Sequence, residues 1–171
     1  ARRHQSNFPG GCHFIDLTET REKTEVMQAM ATQLDIHISS THSSDAILRV
    51  LTLQGEALFI LDNLEQVIEP VRAMMDEWMS TDIPGQWLCT SRTPLRINAE
   101  HVIEINPLTE DEAVQLFHNR ALRVHTPEVD RTPISAEVKA IVQHLDGLPL
   151  AVELAASQMR LMSAAEMHHR M

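Results

Sequence analysis

Four short apolar runs constrain the fold of this chain more than any other feature of its sequence. The runs are residues 12–17 (CHFIDL), 57–61 (ALFIL), 86–90 (QWLCT) and 101–105 (HVIEI), and each is bounded by turn residues. The second and third are almost continuously apolar, which is typical of parallel strands covered on both faces. The fourth alternates more, as an edge strand does. Because helical patterns fill the gaps, the sequence predicts an α/β layered sheet.

The chain changes character after Pro107. Before it, apolar residues recur at helical spacing over 20–34 and 64–79, and Ser44–Asp45 is a candidate helix start. After it, only helices are predicted, and they cover 109–124, 135–145 and 150–161, with a short one from Ser163. We therefore expect an α/β part at residues 1–107 and a helical part at residues 108–171.

Composition limits the classes of function. The chain has 24 acidic against 14 basic residues, a net charge of −10, which argues against this segment binding nucleic acid by itself. No apolar run approaches the roughly 20 residues of a membrane span, and no signal peptide opens the chain. The two cysteines, Cys12 and Cys89, lack zinc-ligand spacing and indicate free thiols in a reducing compartment. We expect a cytoplasmic protein without a membrane partner.

Asp62 closes the second apolar run, where a core strand by itself needs no carboxylate. Ligands of open α/β sheets bind beyond the carboxyl ends of the strands, and an acid there can hold Mg²⁺ directly or through water. The alternative is that Asp62 or Asn63 caps the following helix. Glu65 either polarises an attacking water or is a first-turn acid stabilised by the helix dipole. The residues alone leave both pairs of interpretations open.

Two further motifs have a functional and a structural interpretation. The third run ends in Thr90-Ser91-Arg92, where Arg92 either meets a phosphate with its planar guanidinium group or pairs with an acid on the surface. By composition, the turn Asp146-Gly147-Leu148-Pro149 is a corner between two helices. Gly147 is its expected C-cap, and Pro149 fits the first turn of the next helix.

Three stretches together resemble a known family. ALFILDNLEQV, WLCTSRTPLRINAEHVIEINPLTEDEAVQLF and HLDGLPLAVELAASQMRLMS are similar, in order and spacing, to successive motifs of the STAND-class P-loop ATPases. Within that class they resemble the NB-ARC/NACHT-like ATPase module of bacterial LuxR-type and related transcriptional regulators. FPGGCHFIDLTE is similar to the family's second strand, so the resemblance covers nearly the whole chain.

The resemblance implies a parallel-sheet, AAA-like P-loop NTPase core, followed by a helical subdomain with a GLPL motif. It implies that Asp62 orders Mg²⁺ as the Walker-B acid and that Thr90 and Arg92 contact the nucleotide, with Arg92 as the sensor-1 arginine at the γ-phosphate. It also implies that Gly147 and Pro149 form the GxP motif near the adenine. Many family members have a second acid at the position of Asn63, so the catalytic base stays open, with Glu65 as a substitute.

The Gly-x-x-x-x-Gly-Lys-Ser/Thr loop that cradles phosphates is absent, since neither Lys23 nor Lys139 follows a glycine. The resemblance implies that the chain begins within the helix after that loop. The lost strand would lie between those ending at Thr90 and Ile105. We therefore expect the sheet to close this gap, to borrow a strand through homo-oligomerisation, or to be partly disordered.

These expectations lead to two hypotheses about function. In the first, the full-length protein is a signal-transduction ATPase that binds ATP or ADP with Mg²⁺ and controls transcription through effector or DNA-binding domains of the same chain. This segment alone would be inactive and carry no bound cofactor. In the second, the chain is a non-catalytic interaction or oligomerisation module on a degenerate ATPase fold.

Overall fold

The computed structural model describes residues 6–37, 43–81, 83–124 and 135–171. The chain divides into two compact units, residues 1–102 and 103–171. The division falls a few residues before the predicted boundary at residue 107, within the fourth apolar run. Pro127 and Pro133, which separate the helices predicted over 109–124 and 135–145, lie outside the described residues.

The first unit is a parallel sheet with helical crossovers. Its strands are β1 (Cys12–Asp16), β2 (Leu58–Asp62) and β3 (Gln86–Cys89), in the spatial order β1–β2–β3. Its helices are α1 (Lys23–Gln33), α2 (Ser43–Gln54) and α3 (Ile68–Met79), with a single 3₁₀ turn at Leu64–Gln66. Parallel neighbours need a crossover connection, which α1 and α2 provide before β2 and α3 provides before β3. The prediction of an α/β fold with a parallel sheet is confirmed.

The core of the first unit lies on one face of this sheet. Phe59 of β2 lies opposite His13 and Trp87 in register, and its ring stacks on both, with centroids 5.3 Å and 4.7 Å away. Trp78 and Met74 of α3 are fully buried over the same cluster. Full burial of such side chains stabilises a fold by about 1.5–3 kcal/mol each, so the packing on this face stabilises the unit.

The other face of the sheet is less covered. Phe14, Ile60 and Leu88 lie opposite one another across the three strands. Phe14 and Leu88 are 51% and 47% exposed, whereas the residues on either side of them in the same strand are buried or half-buried. The prediction that both faces of the central strands are covered is therefore wrong for this face in the described residues.

The predicted fourth strand is not formed. In the described part of the chain, residues 101–105 pair with no strand, and Val102, Ile103 and Ile105 are 59%, 72% and 92% exposed. A strand is stable only when a neighbour satisfies its backbone N–H and C=O groups, and β3 does not supply that pairing here. Of the three alternatives for the gap, closure of the sheet by this segment is therefore not observed in the described residues, and the other two stay predictions.

The second unit consists of helices around a small core. Its members are α4 (Glu110–Val124), α5 (Ala136–His144), α6 (Pro149–Ser157) and α7 (Ala164–Arg170). Phe117, Ile141 and Val152 are at most 2% exposed and form the centre of the core. No helix within the described ranges is both long enough and apolar enough to cross a bilayer.

Polar caps define where three of these helices begin. Thr109 and Glu112 form a capping box before α4: the Glu112 carboxylate accepts the backbone N–H of Thr109 over 2.9 Å, and the Thr109 hydroxyl accepts that of Glu112 over 3.4 Å. Ser135 accepts the N–H of Val138 at the start of α5. Ser163 forms a second capping box with Glu166 at α7. These short-range signals are satisfied within a few residues, which is why the sequence predicted them correctly.

Candidate functional site

The candidate site lies at the carboxyl edge of the parallel sheet. Asp62 is the last residue of β2, and Thr90 directly follows β3, its neighbour. The Thr90 hydroxyl donates to Oδ1 of Asp62 over 2.5 Å. Among the described residues, Oδ2 of Asp62 has no hydrogen-bond or ion-pair partner. The carboxylate is therefore fixed through one oxygen and has the other available to a ligand.

Neither Asp62 nor Asn63 caps the following helix. Asn63 precedes the 3₁₀ turn in a left-handed conformation, with φ 65° and ψ 61°, and its side chain makes no cap hydrogen bond. The α-helix starts only after Val67, later than predicted. The left-handed residue turns the chain sharply out of β2, so the predicted helix from Leu64 is interrupted. The capping interpretation of Asp62 and Asn63 is wrong.

The structure also places Glu65 and Arg92 at this edge. Nε of Arg92 lies 3.7 Å from Oε1 of Glu65, and the two side chains are 90% and 29% exposed. Ion pairs that are this open to solvent stabilise a fold by about 0–1 kcal/mol. Arg92 can therefore exchange Glu65 for another anion at little cost. The four residues that the sequence motifs singled out therefore lie at the same edge of the sheet. They form two contacting pairs, Asp62 with Thr90 and Glu65 with Arg92.

Two residues that sequence reasoning missed fix the loop after Arg92. The carboxylate of Glu100 accepts the backbone N–H groups of Leu95 and Arg96 over 2.8 Å and 2.7 Å. From α3, the guanidinium group of Arg72 donates to the carbonyl oxygen of Leu95, whose side chain is buried. The base of the loop is therefore anchored while the Arg92 side chain stays exposed. No short-range pattern in the sequence links Arg72 to Leu95.

A second polar chain extends the site to the end of β1. The side-chain amide of Asn63 donates to Oγ1 of Thr18 over 3.1 Å, and that hydroxyl donates to Oδ1 of Asp16 over 2.5 Å. Hydrogen bonds from the Thr18 hydroxyl and from its backbone N–H hold the pKa of Asp16 below its usual 3.8. Sequence analysis missed this branch. Its signal was an acid closing β1 just as Asp62 closes β2, in register opposite it.

Gly147 and Pro149 belong to the second unit. Gly147 has φ +65°, and a Cβ there would lie 2.3 Å from the carbonyl oxygen of Leu108. Its own carbonyl accepts the N–H of Leu108 over 3.0 Å. Pro149 is the first residue of α6. The predicted helix corner is therefore confirmed, and it explains both residues structurally, although the C-cap of α5 is Leu145 and not Gly147 as predicted. Their contact with a nucleotide stays a prediction.

The oxygen donors at the sheet edge fit a metal ion that is only partly coordinated by the protein. Such an ion takes its other ligands from a bound molecule and from water. No group of three or more His, Cys, Asp or Glu residues within the described ranges is arranged to hold a metal. Mg²⁺ usually binds through one or two carboxylates and takes its other oxygens from phosphates and water. Asp62, with one oxygen available, fits that mode of binding.

Comparison with known proteins gives distant relatives. The chain is 31% identical over 162 residues to proteins named "Putative HTH-type transcriptional regulator" from Mycobacterium tuberculosis and Mycobacterium bovis. The match covers 94% of this chain but 18% of each relative, so the chain spans about a fifth of their length. It is 27% identical over 161 residues to an "Uncharacterized protein" of Mycobacterium tuberculosis, covering 93% of this chain and 41% of that protein. No protein-family model matches the chain.

Proposed function

We propose that this chain is part of an ATP- and Mg²⁺-dependent switch, of the STAND class of P-loop ATPases, within a longer transcriptional regulator. The observation that supports it most is the state of Asp62, which is held by Thr90 through one oxygen and has the other available. It lies at the carboxyl edge of a parallel sheet, where α/β proteins bind nucleotides.

Each residue at the edge has a role in this proposal. Asp62 holds Mg²⁺ directly or through water, and Thr90 keeps its carboxylate oriented. Arg92 would leave Glu65 and bind the γ-phosphate. The γ-phosphate carries more negative charge than a solvent-exposed carboxylate, so it attracts the guanidinium group more strongly. The released Glu65 would then accept a proton from a water whose oxygen attacks the γ-phosphorus. The bond from that phosphorus to the β–γ bridging oxygen would break and ADP would leave. Bound Mg²⁺ would supply charge neutralisation at the phosphates, and a phosphate-binding loop would come from elsewhere in the regulator.

The regulatory part of the proposal is supported by the relatives. Two of them carry the name of HTH-type transcriptional regulators and are about five times as long as the aligned segment, since the match covers 18% of their length. In such a protein the ATPase module would act on DNA-binding and effector domains of the same chain, in the bacterial cytoplasm. The nucleotide state would set the packing of the sheet unit and the helical unit, including the Gly147–Pro149 turn.

The test is Asp62→Ala in the full-length regulator, with Asp76→Ala as the matched control on the exposed surface of α3. ATP affinity is measured by equilibrium titration at several Mg²⁺ concentrations and in EDTA. We expect Asp62→Ala to weaken binding at saturating Mg²⁺ by about tenfold or more, the order of one lost charged ligand, with no change in EDTA. Asp76→Ala should match the wild type.

Two outcomes would overturn the proposal. One is an Asp62→Ala protein whose Mg²⁺-dependent affinity and turnover are unchanged, which would favour the non-catalytic interaction module. The other is micromolar ATP binding by the 171-residue chain alone, because the proposal makes the phosphate loop essential and this chain has none.

A further inference from the structure

We infer that Asn63 is a positioning residue for Asp62, the acid proposed to bind the metal. It connects Asp62 to the end of β1 through Thr18 and Asp16. This role requires the side chain of Asn63 to donate a hydrogen bond. The inference deepens the proposed function and rests on it for the role of Asp62. The hydrogen-bonded chain itself is independent of that role.

The direction of every hydrogen bond in the chain is set by chemistry. Ionised Asp16 can only accept, so the single hydroxyl proton of Thr18 must go to it. The lone pairs of that hydroxyl are then left to face Asn63, whose NH₂ group is the donor. The orientation of the Asn63 amide follows from this arrangement. A carboxylate at position 63 has no proton to give, so it cannot take the place of Asn63.

The backbone of Asn63 serves the other carboxylate. Its N–H donates to Oγ1 of Thr90 over 2.9 Å, and the hydroxyl proton of Thr90 goes to Asp62 over 2.5 Å. The next N–H, that of Leu64, donates to the carbonyl oxygen of Thr90 over 3.1 Å. Asn63 is thus the one residue shared by two chains of hydrogen bonds, which end on Asp16 through its side chain and on Asp62 through its backbone.

This sharing requires an unusual backbone conformation. A left-handed φ of 65° is strained for an ordinary residue, and asparagine tolerates it better than most. In this conformation the N–H of residue 63 reaches Thr90 beside β3, and its side chain reaches Thr18 beside β1. The side-chain bond to Thr18 therefore stabilises the turn that also presents the Asp62 carboxylate to a ligand.

Aspartate at position 63 would change the electrostatics as well as the hydrogen bonds. It would add a third carboxylate near Asp16 and Asp62, and like charges repel one another. The hydroxyl proton of Thr18 would be contested by two acceptors. We expect Asn63→Asp to weaken Mg²⁺-dependent binding rather than to add a useful metal ligand.

Two variants separate the side chain from the backbone. Thr18→Val keeps the shape of Thr18 but removes its hydroxyl, and Asn63→Gly keeps the left-handed backbone accessible but removes the donor. Thr18→Ser restores the hydroxyl and is the rescue control. In the full-length regulator, we measure the Mg²⁺ concentration that gives half-maximal ATP binding, and the affinity for ATP in EDTA.

The expected result is a selective loss of Mg²⁺ response. Thr18→Val and Asn63→Gly should each raise the required Mg²⁺ concentration about fivefold, the factor that one net hydrogen bond is worth, with the affinity in EDTA unchanged. Thr18→Ser should stay within about twofold of wild type. If both variants respond to Mg²⁺ like the wild type while Asp62→Ala does not, the inference is wrong and the proposed function stands.

A second measurement decides the case in which Asp62→Ala itself has no effect. In the 171-residue chain, the carboxyl ¹³C resonance of Asp62 and the amide resonances of Asn63 and Leu64 report the geometry of the turn without any ligand. Thr18→Val should shift all three, and Thr18→Ser should not. Unshifted resonances in Thr18→Val would overturn the link between β1 and Asp62, whatever Asp62 binds.

Discussion

Replacing Gly147 by alanine tests whether the glycine of the GLPL turn is required by the fold, before any ligand is considered. Alanine at φ +65° costs about 1–2 kcal/mol relative to glycine. The added Cβ would lie 2.3 Å from the Leu108 carbonyl oxygen, so that backbone must move and the 3.0 Å hydrogen bond from Leu108 to Gly147 is lost. That bond is worth about 0.5–1.5 kcal/mol. The total expected loss is about 1.5–3.5 kcal/mol.

The chain supplies a matched control for this variant. Gly55 has φ +69°, but no atom lies within 4 Å of the position its Cβ would take. Gly55→Ala therefore carries only the conformational cost, about 1–2 kcal/mol. Both variants are measured by urea denaturation. Far-UV circular dichroism reports the loss of helix. The fluorescence of Trp78 and Trp87 reports the unfolding of the first unit, which also contains Gly55.

The difference between the two variants is the quantity that matters. If Gly147→Ala is no more destabilising than Gly55→Ala, the close approach of Leu108 does not constrain the turn and the reasoning fails. If Gly147→Ala is tolerated in stability but weakens ATP binding by the full-length regulator, the glycine serves the nucleotide rather than the fold.

Two further predictions concern single side chains. Thr109→Ala should destabilise the chain by about 1 kcal/mol, the usual cost of removing an N-cap, while Thr109→Ser should not, and thermal denaturation distinguishes them. Hydrogen bonds from the Thr109 hydroxyl and backbone N–H hold the pKa of Glu112 below its usual 4.5. Their contribution to the free energy of unfolding is therefore complete above pH 4.5, and it is lost as the pH falls through the lower pKa of the folded state. Thr109→Ala should flatten this acid-side loss, and an unchanged slope below about pH 4.5 would contradict it. Burial, with a smaller effect of Glu100, raises the pKa of the Cys89 thiol from 9.0 to about 11. In a Cys12→Ser background, iodoacetamide at pH 8.5 should therefore alkylate Cys89 far more slowly in the native protein than in urea, and equal rates would refute its burial.

The candidate site could be predicted in outline because its residues follow directly from strand ends. In a parallel sheet all carboxyl ends meet at one edge, so Asp62, Thr90 and Arg92 had to lie near one another once β2 and β3 were recognised. The capping box at Thr109 and the helix corner at Gly147 were predictable for a similar reason. Each is closed by hydrogen bonds or steric limits that act within a few residues.

The parts that sequence analysis missed depend on contacts between residues distant in the chain. Thr18 and Asn63 meet only because β1 and β2 pair in a register that sets Asp16 opposite Asp62. Arg72 reaches the carbonyl of Leu95 only because α3 crosses beside the loop that follows β3. No local pattern encodes either meeting.

The sequence by itself determined the alternation of strands and helices, the starts of the capped helices α4, α5 and α7, and the acid at the end of β2, because periodicity and turn chemistry are local properties. Only the tertiary structure decided that residues 101–105 form no strand, since a strand exists only through the neighbour that pairs with it. The same structure decided that Asp62 is held by Thr90 rather than capping a helix. A carboxylate accepts from whichever donor the fold brings within reach, and that donor lies on another strand.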